Sequence, residues 1–148
     1  MLKQTLITIF HRDLSRLKEE LCAYADETTI WKIEQGITNS AGNLALHLIG
    51  NLNHFIGATL GNTGYVRQRE NEFAFKNIPR HEIFRSIDET ILVIQQTLET
   101  ITEEELENPF PVKIALGDGS TRFMLINLAT HLSYHLGQIN YHRRLIGK

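Results

Sequence analysis

Apolar residues recur at three- and four-residue steps in four long stretches of this chain, the period of helices that bury one face. In residues 2–25 the stripe is Leu2, Leu6, Ile9, Phe10, Leu17, Leu21 and Tyr24, with Lys, Arg and Glu between them. Residues 39–61 carry Leu44, Leu48, Leu52 and Phe55, next to a polar stripe of His47, Asn51 and His54. Asn39 or Ser40 can cap this second helix and Gly61 can end it. Gly50 and Gly57 within it each cost about 1 kcal/mol relative to Ala, which implies close packing or room for something bulky. Residues 79–101 repeat the pattern on Ile83, Ile87, Ile91, Ile94 and Leu98, with Pro79 setting the first turn. Residues 121–147 do so on Ile126, Ala129, Leu132, Leu136, Ile139 and Leu145, capped by Ser120 or Thr121.

The connections are informative in their turn. Residues 26–36 hold Trp31, a large side chain suited to covering one end of a core. Residues 62–78 have no period, and a connection above about 12–15 residues is functional or spans the length of a bundle. Thr102 to Glu107 predict an acidic turn. The segment 108–121 contains Pro109, Pro111 and the turn signal Gly117-Asp118-Gly119, with Val112 to Leu116 as a candidate short strand. Four helices in one small domain, 1–148, predict an all-α fold: a four-helix bundle with a long crossover between the second and third helices.

Composition narrows the function. With 148 residues, 42% hydrophobic, 22% charged and a net charge of −2, the chain lacks the basic footprint of a general nucleic-acid binder. No apolar run reaches the roughly 20 residues that span a bilayer. Near the N-terminus, Arg12 and Asp13 arrive too early for a signal-peptide core. The single cysteine, Cys22, cannot form an intrachain disulfide, so the expected compartment is the cytoplasm. Cys22 lies beside the first apolar stripe, where a buried, inert thiol is expected.

Histidine carries the candidate chemistry, with seven in the chain. His131 and His135 lie four apart in the last helix, one turn from each other and about 40° apart around its axis, so two imidazoles can meet one ion. They are flanked by Ala129, Leu132 and Leu136, and His47 sits among leucines of the second helix. Three imidazoles directed into a bundle need a shared partner, because unpaired buried polar groups are costly. A divalent ion such as Zn, Ni or Fe(II) supplies one and keeps positions for water or substrate. Leu132, where a zinc protease carries Glu, excludes that machinery.

Around the triad, Asn51, Tyr134 and Gln138 are candidates to orient a ligand imidazole, Asn51 equally for an ordinary helix-to-helix hydrogen bond. His54, about 10 Å along the helix from His47, lines an entrance or hydrogen-bonds in the core. Arg67, Arg69, Glu70 and Glu72 either form an ion-pair cluster that holds the crossover or place an arginine for a substrate carboxylate. His142, beside Arg143 and Arg144, reads as a solvated helix end.

One histidine in the second helix, H-x-x-x-H in the last, the run HLGQI and the ending NYHRRLIG resemble the DinB-like metalloprotein superfamily over the whole chain. NSAGNLALHLIGNLNHFIG and TGYVRQRENEF are similar to a bacterial subgroup of it. The resemblance implies metal ligands at His47, His131 and His135, a four-helix bundle with a long second-to-third crossover, and a homodimer. It also implies a small-molecule substrate: some relatives transfer a low-molecular-weight thiol to an electrophile. It implies no DNA binding and supplies no general base at a matching position. Non-catalytic small-molecule binding on a metal-stabilised bundle and metal-dependent hydrolysis stand as alternatives.

Overall fold

The computed structural model describes residues 1–113 and 119–148, whose regular elements are all helices. Helix α1 is Leu2–Cys22, and a 3-10 turn follows at Glu27–Trp31. Helix α2 opens over Ala41–Leu52, widens into a π-helical turn at Asn53–Ala58 and closes over Thr59–Gly61. Short α3 is Arg69–Ala74, α4 is Arg80–Thr100, α5 is Glu103–Glu107 and α6 is Thr121–Ile146. Among the described residues there is no strand, only a single antiparallel bridge between Pro109 and Ser120. Val112 is exposed and outside any strand. The rest of the candidate strand, 114–116, and the start of the turn signal, 117–118, lie outside the described residues.

Local chemistry sets the helix ends. Ser40 Oγ accepts from Asn43 N (3.1 Å) to start α2, and Ser120 Oγ accepts from Phe123 N (3.1 Å) to start α6. Thr102 and Glu105 form a reciprocal capping box on α5, which is the expected acidic turn. At Gly61 the helix closes, but the residue that takes the left-handed cap conformation is Asn62 (φ 49°). Pro79 stands just before α4 rather than inside its first turn.

Polar contacts between the long helices give their directions. Lys3 Nζ donates to the carbonyls of Glu99 (3.1 Å) and Ile101 (3.0 Å), while Arg80 caps the carbonyls of Leu21, Cys22 and Tyr24. Helices α1 and α4 are therefore antiparallel. Glu20 accepts from Asn140 (2.7 Å) and Arg143 (2.5 Å), so α1 and α6 run the same way. Asn53 Nδ2 donates to Thr90 Oγ1 (2.9 Å), Gly57 faces Val93 and Gly61 faces Thr97, so α2 and α4 are parallel. Parallel neighbours explain the long crossover: residues 62–78 must return along the molecule before α4 can begin.

The core lies between these helices. Leu6, Phe10, Leu14, Leu17 and Leu21 from α1 meet Leu48, Leu52 and Ile56 from α2, Ile83, Ile87 and Ile94 from α4, and Leu125, Leu128, Leu132 and Ile139 from α6. Trp31 covers one end, as expected, lying flat on Gly42, where a Cβ would run into the indole. The α6 stripe matches the expected one in its middle and departs from it at its ends. Ala129, Leu132 and Ile139 are buried, Leu136 is half-buried, and Ile126 and Leu145 are exposed. Leu125, Leu128 and Ile146 take the core positions instead.

Two expectations are corrected. Cys22 is exposed, because it follows Leu21 by one residue and so lies about 100° around the helix from the buried stripe. His142 is buried rather than solvated: Tyr24 Oη donates to its Nδ1 (2.6 Å) and its Nε2 donates to the Lys32 carbonyl (2.9 Å). Burial raises the Tyr24 pKa well above the ordinary phenol value, so this hydroxyl stays a donor. The pair fastens the end of α1 and the segment after the 3-10 turn to α6. Replacing Tyr24 by Phe leaves His142 Nδ1 buried without its donor, and a loss of about 1–3 kcal/mol is expected from urea unfolding.

Candidate metal centre

His47 from α2 and His131 and His135 from α6 bring ligand nitrogens to within 4.8 Å of one another. His131 Nε2 lies 3.3 Å from His47 Nε2 and 3.1 Å from His135 Nε2. Two nitrogens bound about 2.0–2.1 Å from a tetrahedral ion lie about 3.3–3.4 Å apart, so the spacing suits a shared cation. The rings stand nearly perpendicular, at interplanar angles of 79°, 90° and 88°.

Two of the three rings have an outer partner on Nδ1. His47 Nδ1 lies 3.1 Å from Glu72 Oε1, an acceptor only, and 3.3 Å from Arg67 Nη2, a donor only. The carboxylate is the nearer of the two, and donation to it leaves the Nε2 lone pair facing the cluster. His135 Nδ1 lies 2.7 Å from Gln138 Oε1, and donation to that oxygen leaves its Nε2 lone pair facing the cluster in the same way. Both lone pairs therefore face His131 Nε2, and one proton there can satisfy only one of them. A cation placed among the three nitrogens satisfies all of them. On the donor set and its tautomers, the residues fit a metal ion.

The crossover supplies the carboxylate. Arg67 grips Glu72 in a fork, Nε to Oε2 and Nη2 to Oε1, both 2.9 Å, with the side chains 11% and 7% exposed. Asn43 Nδ2 holds the same segment by donating to the carbonyls of Glu72 and Phe75, each at 2.9 Å. Phe73 packs on the His47 ring, with centroids 5.1 Å apart. Gly50 completes the arrangement, since a Cβ there would overlap the Glu72 carboxylate. Of the two readings of 67–72, Arg67 and Glu72 form the ion pair, Arg69 lies over the Phe73 ring (5.2 Å) and Glu70 is exposed. The sequence did not single out Glu72 as a partner of His47, although the glycine one turn beyond that histidine (Gly50) was the available signal.

The remaining candidates divide. Gln138 is the partner of His135. Tyr134 is 65% exposed, with its ring near His135 (5.4 Å) and its hydroxyl 3.5 Å from Gln138 Nε2. Asn51 is buried with Oδ1 unpartnered. His54 lies half-buried within the π-helical turn, against the Phe55 ring (4.7 Å) and outside the cluster.

Electrostatics favour the neutral form of His47 and His131. Burial, then His135, His47 and Arg67, push the His131 pKa down to about 4. Burial also lowers His47, against the pull of Glu72. An unfolded histidine protonates near pH 6.5, so between about pH 6.5 and 4 the unfolded chain binds more protons than the folded one. Metal-free protein should lose stability as pH falls through that window, more steeply than its His131→Gln variant. Urea midpoints at pH 7, 6, 5 and 4.5 measure the difference, and parallel curves would contradict it.

A helical fold with three convergent imidazoles defines the class: a protein with a cluster that could hold a metal ion. The chain belongs to the family described as "Protein of unknown function (DUF1572)", whose family model matches residues 4–148. No curated protein and no solved structure matched it. No helix among the described residues is long and apolar enough to cross a membrane.

Proposed function

We propose that this protein is a DinB-like four-helix-bundle metalloprotein that binds one divalent ion through His47, His131 and His135 and acts on a small molecule there. The observation that carries the reading is the convergence of three imidazole nitrogens within 4.8 Å of one another, with Glu72 and Gln138 on the outer nitrogens of two of the rings. Zn, Ni and Fe(II) all suit three neutral imidazoles. Purified protein should contain about one equivalent of metal per chain by elemental analysis, and a content near zero after reconstitution would refute the proposal.

When bound, such an ion lowers the pKa of a thiol or water toward neutrality. The chain's own part is to orient His47 and His135 through Glu72 and Gln138 and, by burial, to favour the neutral form of His47 and His131. Transfer of a low-molecular-weight thiol to an electrophile is the reaction proposed, on the resemblance. Cys22 lies at the end of α1, which contributes nothing to the cluster, so activity should survive Cys22→Ser. A panel of thiols against a chromogenic electrophile, with metal-loaded and metal-free protein, tests it.

One observation favours the binding-only alternative. Both oxygens of Glu72, the carboxylate on His47, are engaged, so it is not free to act as a general base. Full metal occupancy with no thiol-dependent turnover would select that alternative or hydrolysis. A cytoplasmic homodimer completes the proposal, and light scattering giving the mass of a single chain would remove the dimer.

A further inference from the structure

Among the described residues, two buried side-chain polar atoms have no hydrogen-bond partner: Asn51 Oδ1 and His131 Nδ1. They sit on the two helices that form the histidine cluster, and their chemistry is complementary. One is an acceptor without a donor. The other becomes an obligate donor once Nε2 of the same ring binds a cation, because the ring's proton must then sit on Nδ1.

The cluster is asymmetric in the same place. His47 has Glu72 and His135 has Gln138, whereas His131 has no outer partner. Ligating histidines almost always donate their second ring N–H. Asn51 lies one turn beyond His47 on α2, on nearly the same face. Helix α2 is parallel to α4, α4 antiparallel to α1, and α6 parallel to α1, so α2 and α6 are antiparallel. Moving from His47 to Asn51 therefore runs along α6 in the direction from His135 to His131. Asn51 is 8% exposed in a helix whose neighbouring inward positions are Leu44, Leu48 and Leu52. A buried acceptor without a partner is destabilising relative to an apolar residue, so a compensating role is expected of Asn51.

We propose that Asn51 is the positioning residue of His131: its Oδ1 accepts the Nδ1 proton that His131 carries when its Nε2 binds metal. This rests on the metal-binding reading. The bond fixes the tautomer and ring angle of the third ligand, as Glu72 and Gln138 do for the other two.

The test is competitive Zn²⁺ titration of wild type, Asn51→Leu and Asn51→Asp, with ¹H–¹⁵N spectra of the zinc-loaded imidazoles. Asn51→Leu should weaken zinc binding about 10–100-fold. Asn51→Asp keeps an oxygen acceptor at the same place and should restore affinity to within a few-fold. In wild type and Asn51→Asp the His131 Nδ1 proton should appear as a slowly exchanging downfield resonance, and it should vanish in Asn51→Leu. Metal-free Asn51→Leu should be at least as stable as wild type, an outcome a merely structural asparagine would not give. Asn51→Ala serves if the leucine variant fails to fold.

Wild-type zinc affinity in Asn51→Leu, or persistence of the Nδ1 proton there, overturns the assignment and leaves the metal site standing. Wild-type protein that takes up no zinc overturns the metal reading, and this assignment with it.

Discussion

His131→Ala protein is expected to purify without appreciable metal and to bind Zn²⁺ more than about 100-fold more weakly than wild type. The bound is set by the smaller effect of losing only an outer partner, about 10–100-fold. His131 is the central ring of the cluster, facing both other Nε2 atoms at 3.3 and 3.1 Å. Without it, His47 and His135 are two ligands on separate helices, too few for a three-ligand site. His47→Ala and His135→Ala should fall in the same range. His54→Ala, outside the cluster, should stay within about two-fold on a site whose outer shell is intact. Titration against a chromophoric chelator measures all four, and equal affinity in wild type and His131→Ala would remove the triad as the binding site.

The His131 and His135 pair was legible in the sequence because its geometry is local, whereas His47, on another helix, entered through its leucine neighbours and the resemblance. Two histidines four apart on a helix face one way whatever surrounds them, and leucines at the flanking steps turn that face inward. The long crossover was also legible as a length of chain without a period. Its cause, the parallel run of α2 and α4, was not, since it depends on contacts such as Asn53 with Thr90 that are remote in sequence. The two ends of the α6 stripe, Ile126 and Leu145, were misplaced for a different reason. That helix carries apolar residues on two faces, Leu125, Leu128, Leu132 and Ile139 buried, and Phe123, Ile126, Tyr134, Tyr141 and Leu145 exposed. Periodicity finds stripes but cannot choose between two. His142 was misjudged because a helix end beside two arginines suggests solvent, whereas Tyr24 and the Lys32 carbonyl fold over it. Glu72 was hidden in the same way: it sits in a charged run, and nothing in that run reveals that Gly50 makes room for its carboxylate beside His47.

Glu72→Ala is expected to destabilise the protein by about 3–5 kcal/mol, the usual loss when one partner of a buried ion pair is removed and the other charge stays buried. Arg67 loses the acceptor of its fork, His47 Nδ1 loses its carboxylate, and zinc affinity should fall about 10–100-fold. Gly50→Ala reaches the same contact from the other side. On an isolated helix this change stabilises by about 1 kcal/mol. Here the added methyl displaces a carboxylate held on both oxygens, a penalty of about 1–3 kcal/mol of the overpacking kind. The single variant should therefore be destabilised and weaker for zinc. In the Glu72→Ala background the obstruction is gone, so Gly50→Ala should become stabilising by up to about 1 kcal/mol. That reversal of sign distinguishes a slot for Glu72 from a glycine needed for any other reason. Urea unfolding of the four proteins in the cycle, with zinc titration of each, measures it. Additive effects, with Gly50→Ala equally harmful in both backgrounds, would show that Gly50 and Glu72 are not coupled.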